Sequence, residues 1–192
     1  GGSAVLTEVP EMFGAEQILM NKCRTEDLFC SYKDMKKKKK KSYTDLGFPV
    51  YENPSPGNKK GGITTLEEKS LGCIEKAGTS AIVDVLDYGE LVKEQGVSAL
   101  NAPGNDLIAA TALAASGCQI VLFTTGRGTP FSTFVPTMKI STNDYLSSHK
   151  NNWIDFNAFS MDENGLAELT RDLRSSYDLT IPEDYRTYTL DF

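Results

Sequence analysis

The sequence predicts an α/β fold, with a mostly parallel sheet, helices on both of its faces in three layers, and a Rossmann-like arrangement without a nucleotide motif. Strand-like runs alternate with helical segments of roughly 12–15 residues, as in parallel sheets whose strands are joined by helices. The continuous apolar run Gln119–Thr124 is typical of a strand buried on both faces. Ligands bind such sheets at the carboxyl ends of the strands, so the loops that follow the strands are the candidate sites.

Local signals predict the elements in order. Strands are predicted at Ser3–Thr7, Ala81–Leu86, Gln119–Thr124 and Val135–Ile140. Helices are predicted at Glu11–Lys22, Thr64–Ala77, Asn105–Ser116 and Glu163–Tyr177, and a loop at Thr44–Pro56. Thr64 or Thr65, followed by Glu67 or Glu68, forms a capping signal. Asn105 is the predicted N-cap of the next helix, which Gly117 ends.

Composition and charge indicate an ordinary globular chain. Of the 192 residues, 40% are hydrophobic and 24% charged, which excludes a collagen, a coiled coil and a disordered acidic tail. We expect one domain, with an appended lobe as an alternative. The net charge of −6 is concentrated in residues 151–192, which hold nine acids and three bases, and an acidic, helical segment is predicted at about 160–192. The run Lys36–Lys41 predicts a mobile, solvated loop at about 33–43 rather than a nucleic-acid site.

The four cysteines and the single histidine do not form a metal-binding pattern. Cys23, Cys30, Cys73 and Cys118 lack a CxxC pair, so we interpret them as reduced, small apolar residues of a cytoplasmic protein. His149 is expected at the surface, beside Lys150. No apolar run is long enough for a membrane span, and no secretory signal is visible. We therefore expect neither a membrane nor a nucleic-acid partner.

Three loops rich in glycine, proline and small polar residues lie beside predicted strands or helix starts. They are Asn53–Gly62, Asn101–Asp106 and Thr124–Pro130. Each alone is consistent with a structural turn, but together they favour a site for a small anion with hydroxyl groups, such as a sugar acid. The cations available to it are Lys59, Lys60 and Arg127, and an arginine can hold a carboxylate through two parallel hydrogen bonds.

Acidic residues supply the candidates for proton transfer. Glu8 follows the first predicted strand directly, so it is the first candidate for a catalytic base or a metal ligand, with a solvated loop acid as the alternative. Glu11, Glu16 and Asp106 are further candidates, whereas Glu67 and Glu68 are better explained as capping residues.

Several long strings occur in the order found in one enzyme family. They are GGSAVLTEVPEMFGAE, ENPSPGNKKGGITTLEEKSLGC, NAPGND, VLFTTGRGTPF, VPTMKISTN and WIDFN. Together they resemble the C-terminal part of the altronate/galactarate dehydratase family, from Gly1 to about Asn157 with an interruption near Lys33–Tyr43. The Lys36–Lys41 run, Ser132 and Phe159 depart from the family pattern, and the last two put local loop geometry in doubt more than chemistry.

The resemblance implies a piece of a longer bacterial hydro-lyase of sugar-acid catabolism, with further domains of the same enzyme preceding it and a homo-oligomer possible. It implies dehydration of D-altronate to 2-dehydro-3-deoxy-D-gluconate, with galactarate dehydration or sugar-acid binding without chemistry as alternatives. It also implies a divalent metal, Fe²⁺ or alternatively Mn²⁺, with ligands mostly outside this chain. This chain alone is then expected to be inactive.

The resemblance and the loops together give a set of expected site residues. Glu8 is the expected catalytic residue. The expected substrate-binding residues are Asn58, Lys59, Asn105, Asp106, Arg127 and Thr129. No metal ligand is assigned within the chain.

Overall fold

The structure is a computed structural model that describes residues 2–48 and 54–159, with residues 161, 164–165, 167–169 and 171. Most of the predicted helix Glu163–Tyr177 and of the acidic segment at about 160–192 lies outside the described residues. The chain divides into two compact units, the first reaching Gly117 and the second beginning at Cys118.

The first unit is built on a parallel sheet of three strands. These are β1 (Ser3–Leu6), β2 (Ile82–Leu86) and β3 (Gly96–Leu100), in the order β1-β3-β2. The central strand β3 aligns Ala99 with Leu6 of β1 and with Val85 of β2. Sequence patterns predicted β1 and β2 but missed β3, whose glycine and serine weaken its strand signal.

Among its described residues, the first unit also has five helices and one 3₁₀ turn. They are the 3₁₀ turn (Val9–Met12), α1 (Glu16–Met20), α2 (Glu26–Asp45), α3 (Pro56–Lys60), α4 (Leu66–Glu75) and α5 (Asp106–Ala115). The predicted single helix Glu11–Lys22 is wrong in part. It is divided into the 3₁₀ turn and α1, because Gly14 between them has φ of 107°, outside the helical region.

The core of the first unit joins the sheet to α1, α2 and α4. Leu19, Tyr32, Ile74 and Ile82 are fully buried in it. Helix α4 begins with a capping box, in which Thr65 accepts a hydrogen bond from the Glu68 backbone and the Glu68 carboxylate accepts one from the Thr65 backbone. The predicted caps at Thr65 and Asn105 are therefore confirmed.

The prediction of a loop at about 33–43 is wrong, because these residues lie within α2. Thr25 caps this helix, and Tyr32, Met35 and Lys36 bury one of its faces. Lysine has a good helix propensity, and its long aliphatic stem can be buried. The lysine run shows no helical pattern of apolar and polar residues, because Lys36 on the buried face is the same residue type as the lysines on the solvent side.

The second unit has its own parallel sheet of three strands. These are β4 (Val121–Thr125), β5 (Thr137–Ser141) and β6 (Phe156–Asn157), in the order β4-β5-β6, with helix α6 (Asp144–His149) between β5 and β6. The expectation that β4 is buried on both faces is wrong, since Val121 is buried but Leu122 is 50% exposed.

The two parallel sheets with surrounding helices confirm the predicted α/β class. Cysteines Cys23, Cys30, Cys73 and Cys118 are all free thiols. Among the described residues, no helix combines the length and the apolar character that crossing a bilayer requires.

Candidate functional site

The carboxyl ends of β1 and β3 bring one of the predicted loops close to the acidic segment that follows the first strand. Glu8 and Glu11 follow β1, and the loop Asn101–Asp106 follows its neighbour β3. A Cβ on Gly104 would collide with Oε1 of Glu11, so glycine lets the loop lie against that carboxylate without displacing it. The edge expected to bind ligands is therefore lined by carboxylates.

Helix α4 and its C-cap residue supply one lysine to each of the two glutamates. Lys76 Nζ lies 2.8 Å from Oε2 of Glu8, and Lys69 Nζ lies 3.6 Å from Oε2 of Glu11. The two lysines are seven residues apart, about two helical turns, so they share one face of α4. All four side chains are between 17% and 37% exposed, so both ion pairs are partly shielded from water.

Glu8 has a strained backbone conformation. Its φ of 67° and ψ of 41° place it in the left-handed region, and it is the one described residue other than glycine with positive φ. The Glu8 carbonyl accepts a hydrogen bond of 2.9 Å from the Glu11 amide, which closes the 3₁₀ turn. Such conformations cluster at functional sites, which makes this turn a candidate for function.

The charges of this cluster shift the pKa values of its members. Desolvation and the Glu8 carboxylate raise the pKa of Asp106, and Lys69 and Lys76 oppose that rise. Burial lowers the pKa of Lys76, but Glu8, Cys73 and Glu11 together outweigh it, so the pKa is raised overall. Lys76 is therefore held as a cation, and Asp106 takes up a proton more readily than an ordinary aspartate.

Two buried polar atoms lie at the same edge without a partner. Thr7 Oγ1 follows β1 and Asn101 Oδ1 follows β3, and neither has a hydrogen bond to any described residue. A buried acceptor or hydroxyl without a partner is unfavourable by about 1–3 kcal/mol, so such atoms in a folded protein call for a ligand or a water molecule. Both atoms follow the strands β1 and β3, at the edge that also holds Glu8 and Asp106.

Some predicted residues of the first unit have structural partners instead. The Asn105 side chain accepts a hydrogen bond of 3.3 Å from the Ile108 amide and so caps α5. Asn58 and Lys59 lie in the short helix α3, where Asn58 Oδ1 accepts a hydrogen bond from Ser55 Oγ. The structure gives neither Asn58 nor Lys59 a contact with Glu8 or Asp106, and their assignment to the substrate remains a prediction.

Arg127 and Thr129 belong to the second unit. Their loop follows β4, and Thr125 Oγ1 accepts hydrogen bonds from the backbone amides of Arg127 and Gly128. Lys150 Nζ donates to the Arg127 carbonyl at 2.9 Å, which holds the loop from the other side. The Arg127 guanidinium has no hydrogen bond or ion pair to any described residue, so it is available to an anion.

The described residues do not fit a complete metal site. His149 is exposed and stacks on Tyr145, as expected of a surface residue. In the part of the chain that the structure describes, no group of three or more histidine, cysteine, aspartate or glutamate side chains could hold a metal ion. The carboxylates at the sheet edge are instead partnered by lysines.

Sequence reasoning missed four members of this cluster: Lys69, Lys76, Thr7 and Asn101. The seven-residue spacing of Lys69 and Lys76 on a predicted helix was a signal for the two lysines. Thr7 ends the first predicted strand, and Asn101 begins a predicted loop. No local sequence pattern shows that their side chains are buried without hydrogen-bond partners.

Comparison with known proteins agrees with the resemblance described above. Residues 1–177 match the family model "D-galactarate/Altronate dehydratase, C-terminal". The chain is 61% identical to the altronate dehydratase of Bacillus subtilis over 168 residues, 88% of this chain and 34% of that protein. It is 60% identical to the Escherichia coli altronate dehydratase over 158 residues, 82% of this chain and 32% of that protein.

A more distant relative acts on a different substrate. The galactarate dehydratase (L-threo-forming) of Escherichia coli is 44% identical over 107 residues, 55% of this chain and 20% of that protein. The chain thus spans about a third of the length of the two altronate dehydratases that it matches.

Proposed function

This chain belongs to the D-galactarate/altronate dehydratase family, and we propose that it is the C-terminal part of a hydro-lyase that converts D-altronate into 2-dehydro-3-deoxy-D-gluconate and water. The observation that carries the choice of substrate is the identity of 60–61% to two altronate dehydratases over more than four fifths of the chain, against 44% to the galactarate enzyme over about half.

The chemistry of such a dehydration has three requirements. A base removes the proton from the carbon beside the carboxylate, the resulting enediolate must be stabilised, and an acid assists the departure of hydroxide from the next carbon. The enol that forms then becomes the 2-keto acid. The residues at the edge of β1 and β3 provide carboxylates, cations and hydrogen-bonding groups of the kinds that these steps need.

Glu8 is the base in this proposal. Its carboxylate is held by Lys76, its backbone is fixed by the 3₁₀ turn, and it lies beside the loop that follows β3. Lys69 and Lys76 stabilise negative charge that develops on the substrate, because both ammonium groups are partly shielded from water. Asp106 binds a hydroxyl of the sugar chain, and its raised pKa suits it to donating a proton.

The remaining substrate contacts extend the same proposal. Asn105 and Asn58 contribute amide groups toward hydroxyls, and Lys59 adds a cation near its neighbour Asn58. Arg127 and Thr129, which belong to the second unit, are proposed to bind a carboxylate, and the guanidinium of Arg127, which has no partner among the described residues, supports that assignment.

A divalent metal, Fe²⁺ or alternatively Mn²⁺, is part of the proposal for the whole enzyme. Because the described residues do not form a metal site, its ligands are proposed to come mostly from the parts of the enzyme outside this chain. We therefore propose that this chain by itself does not dehydrate altronate. The enzyme is proposed to act in the cytoplasm, with the rest of the same protein as the essential partner of this chain.

The test is turnover by the intact enzyme and by this chain alone, each supplied with Fe²⁺. We expect D-altronate to be consumed by the intact enzyme and not by the chain alone above a metal-only blank. Faster turnover of galactarate than of D-altronate by the intact enzyme would contradict the choice of substrate. Turnover by the isolated chain would contradict the proposed location of the metal ligands.

A further inference from the structure

A second, basic pocket lies on the first unit between α2 and the segment that contains α1. It has a volume of about 250 Å³, and Phe13 and Met20 form its apolar wall. Lys33, Lys36, Lys37 and Lys40 line it from α2. Residues spaced by three, four and seven positions share one face of a helix, so the four lysines line the pocket from the same side of α2.

The charge of this pocket is largely uncompensated. Glu16 is the one acid that lines it, and its carboxylate already accepts a hydrogen bond from the Gly14 amide. Lys33, Lys37 and Lys40 have no ion pair or hydrogen bond from their ammonium groups to any described residue. Like charges at adjacent positions of a helix face repel each other, so the pocket is suited to an anion.

Lys36 distinguishes this pocket from an ordinary patch of surface lysines. The residue is only 4% exposed, and its ammonium group donates a hydrogen bond of 2.9 Å to the Val9 carbonyl. The same ammonium lies 4.0 Å from the centre of the Phe13 ring. Burial lowers the pKa of Lys36 to about 8, with Glu16 and Cys73 opposing this effect, so the pairing present in the structure does not fully compensate its charge.

We propose that the pocket of Lys33, Lys36, Lys37 and Lys40 binds a small phosphate-containing anion, independently of the dehydration site. Ammonium groups act as compact point charges toward phosphate. The cations that line the pocket are all lysines, whose ammonium groups need no planar, two-pronged fit to bind phosphate. The apolar wall of Phe13 and Met20 excludes water from one side and strengthens the attraction between opposite charges.

The lysine run itself provides a matched control for the test. Lys37 and Lys40 line the pocket, whereas Lys38 and Lys41 are exposed on the same helix and do not. The double variants Lys37→Ala/Lys40→Ala and Lys38→Ala/Lys41→Ala remove the same charge from neighbouring positions. Each is made in the intact protein, and binding of inorganic pyrophosphate is measured by isothermal titration calorimetry.

We expect the Lys37→Ala/Lys40→Ala variant to bind pyrophosphate at least about tenfold more weakly than the wild type, since it loses two of the four lysine charges that line the pocket. The Lys38→Ala/Lys41→Ala variant should bind within about twofold of the wild type. Equal weakening in both variants would mean diffuse attraction to the helix and would overturn the proposal, as would no measurable binding to the wild type. Turnover of D-altronate, measured in parallel, reports separately on the dehydration site.

Discussion

Replacement of Lys36 with methionine tests whether its buried ammonium group destabilises the fold. Methionine has a similar length and fills the same space without a charge. The pKa of Lys36 falls from 10.5 to about 8 on folding, because the side chain is buried. Below pH 8 the lysine is protonated in both the folded and the unfolded chain, so the unfavourable charge is present throughout.

The pH dependence has a definite sign. Between pH 8 and 10.5 the folded chain has released a proton that the unfolded chain still holds, so the free energy of unfolding rises with pH in this window. From pH 7 to pH 9.5 this effect stabilises the wild type by about 2 kcal/mol. The Lys36→Met variant lacks the group and therefore lacks the effect, whatever its stability at pH 7.

Urea unfolding of both proteins at pH 7 and pH 9.5 measures this difference. The free energy of unfolding of the wild type, relative to Lys36→Met, should increase by about 2 kcal/mol between the two pH values. Other titrating groups, Cys73 and Tyr32 among them, are present in both proteins, so their contributions largely cancel. A difference between the two proteins that does not change with pH would refute the reasoning.

Three further substitutions test other parts of the structure. Thr65→Ala removes a capping-box partner of Glu68 and should lower the free energy of unfolding by about 1 kcal/mol in urea titrations, whereas no change would mean that the cap is not stabilising. Gly96→Ala places a Cβ 2.8 Å from Val83 Cγ1 at a backbone φ of 127°. The free energy of unfolding should therefore fall by about 3 kcal/mol, and a fall below about 0.5 kcal/mol would contradict this geometry. Gly104→Ala displaces the flexible end of Glu11. Steady-state kinetics of the intact enzyme should therefore show kcat/KM reduced roughly 10–100-fold, while the free energy of unfolding stays almost unchanged. Unchanged kinetics would exclude Glu11 from the site.

Sequence patterns were sufficient for the elements whose signals are local. Helix α4 was found from its capping box, and β1 and β2 from their apolar runs. Helix α2 was missed, because the burial of Lys36 depends on Val9 and Phe13, which are distant in sequence. The strand β3 was missed because its pairing with strands on both sides, rather than its composition, defines it.

The candidate site was predictable only where it depends on the ends of strands. Glu8 was selected because it follows a predicted strand, whereas its closeness to the loop of Asp106 comes from the pairing of β1 with β3, a strand that was not predicted. The lysine partners on α4 come from the packing of this helix against the 3₁₀ turn, which no local pattern shows. The substrate-binding role of Arg127 stays a prediction from the loops and the family resemblance.

The most direct test of the central claim compares Glu8→Gln with Glu75→Gln in the intact enzyme. Glu75 lies on the same helix as Lys76 but is exposed, so its substitution controls for the loss of one carboxylate. With D-altronate as substrate, Glu8→Gln should lower kcat by about 10²–10⁴-fold, and Glu75→Gln should leave it unchanged. Wild-type turnover by Glu8→Gln would contradict the assignment of the proton-transfer site to the edge of β1 and β3.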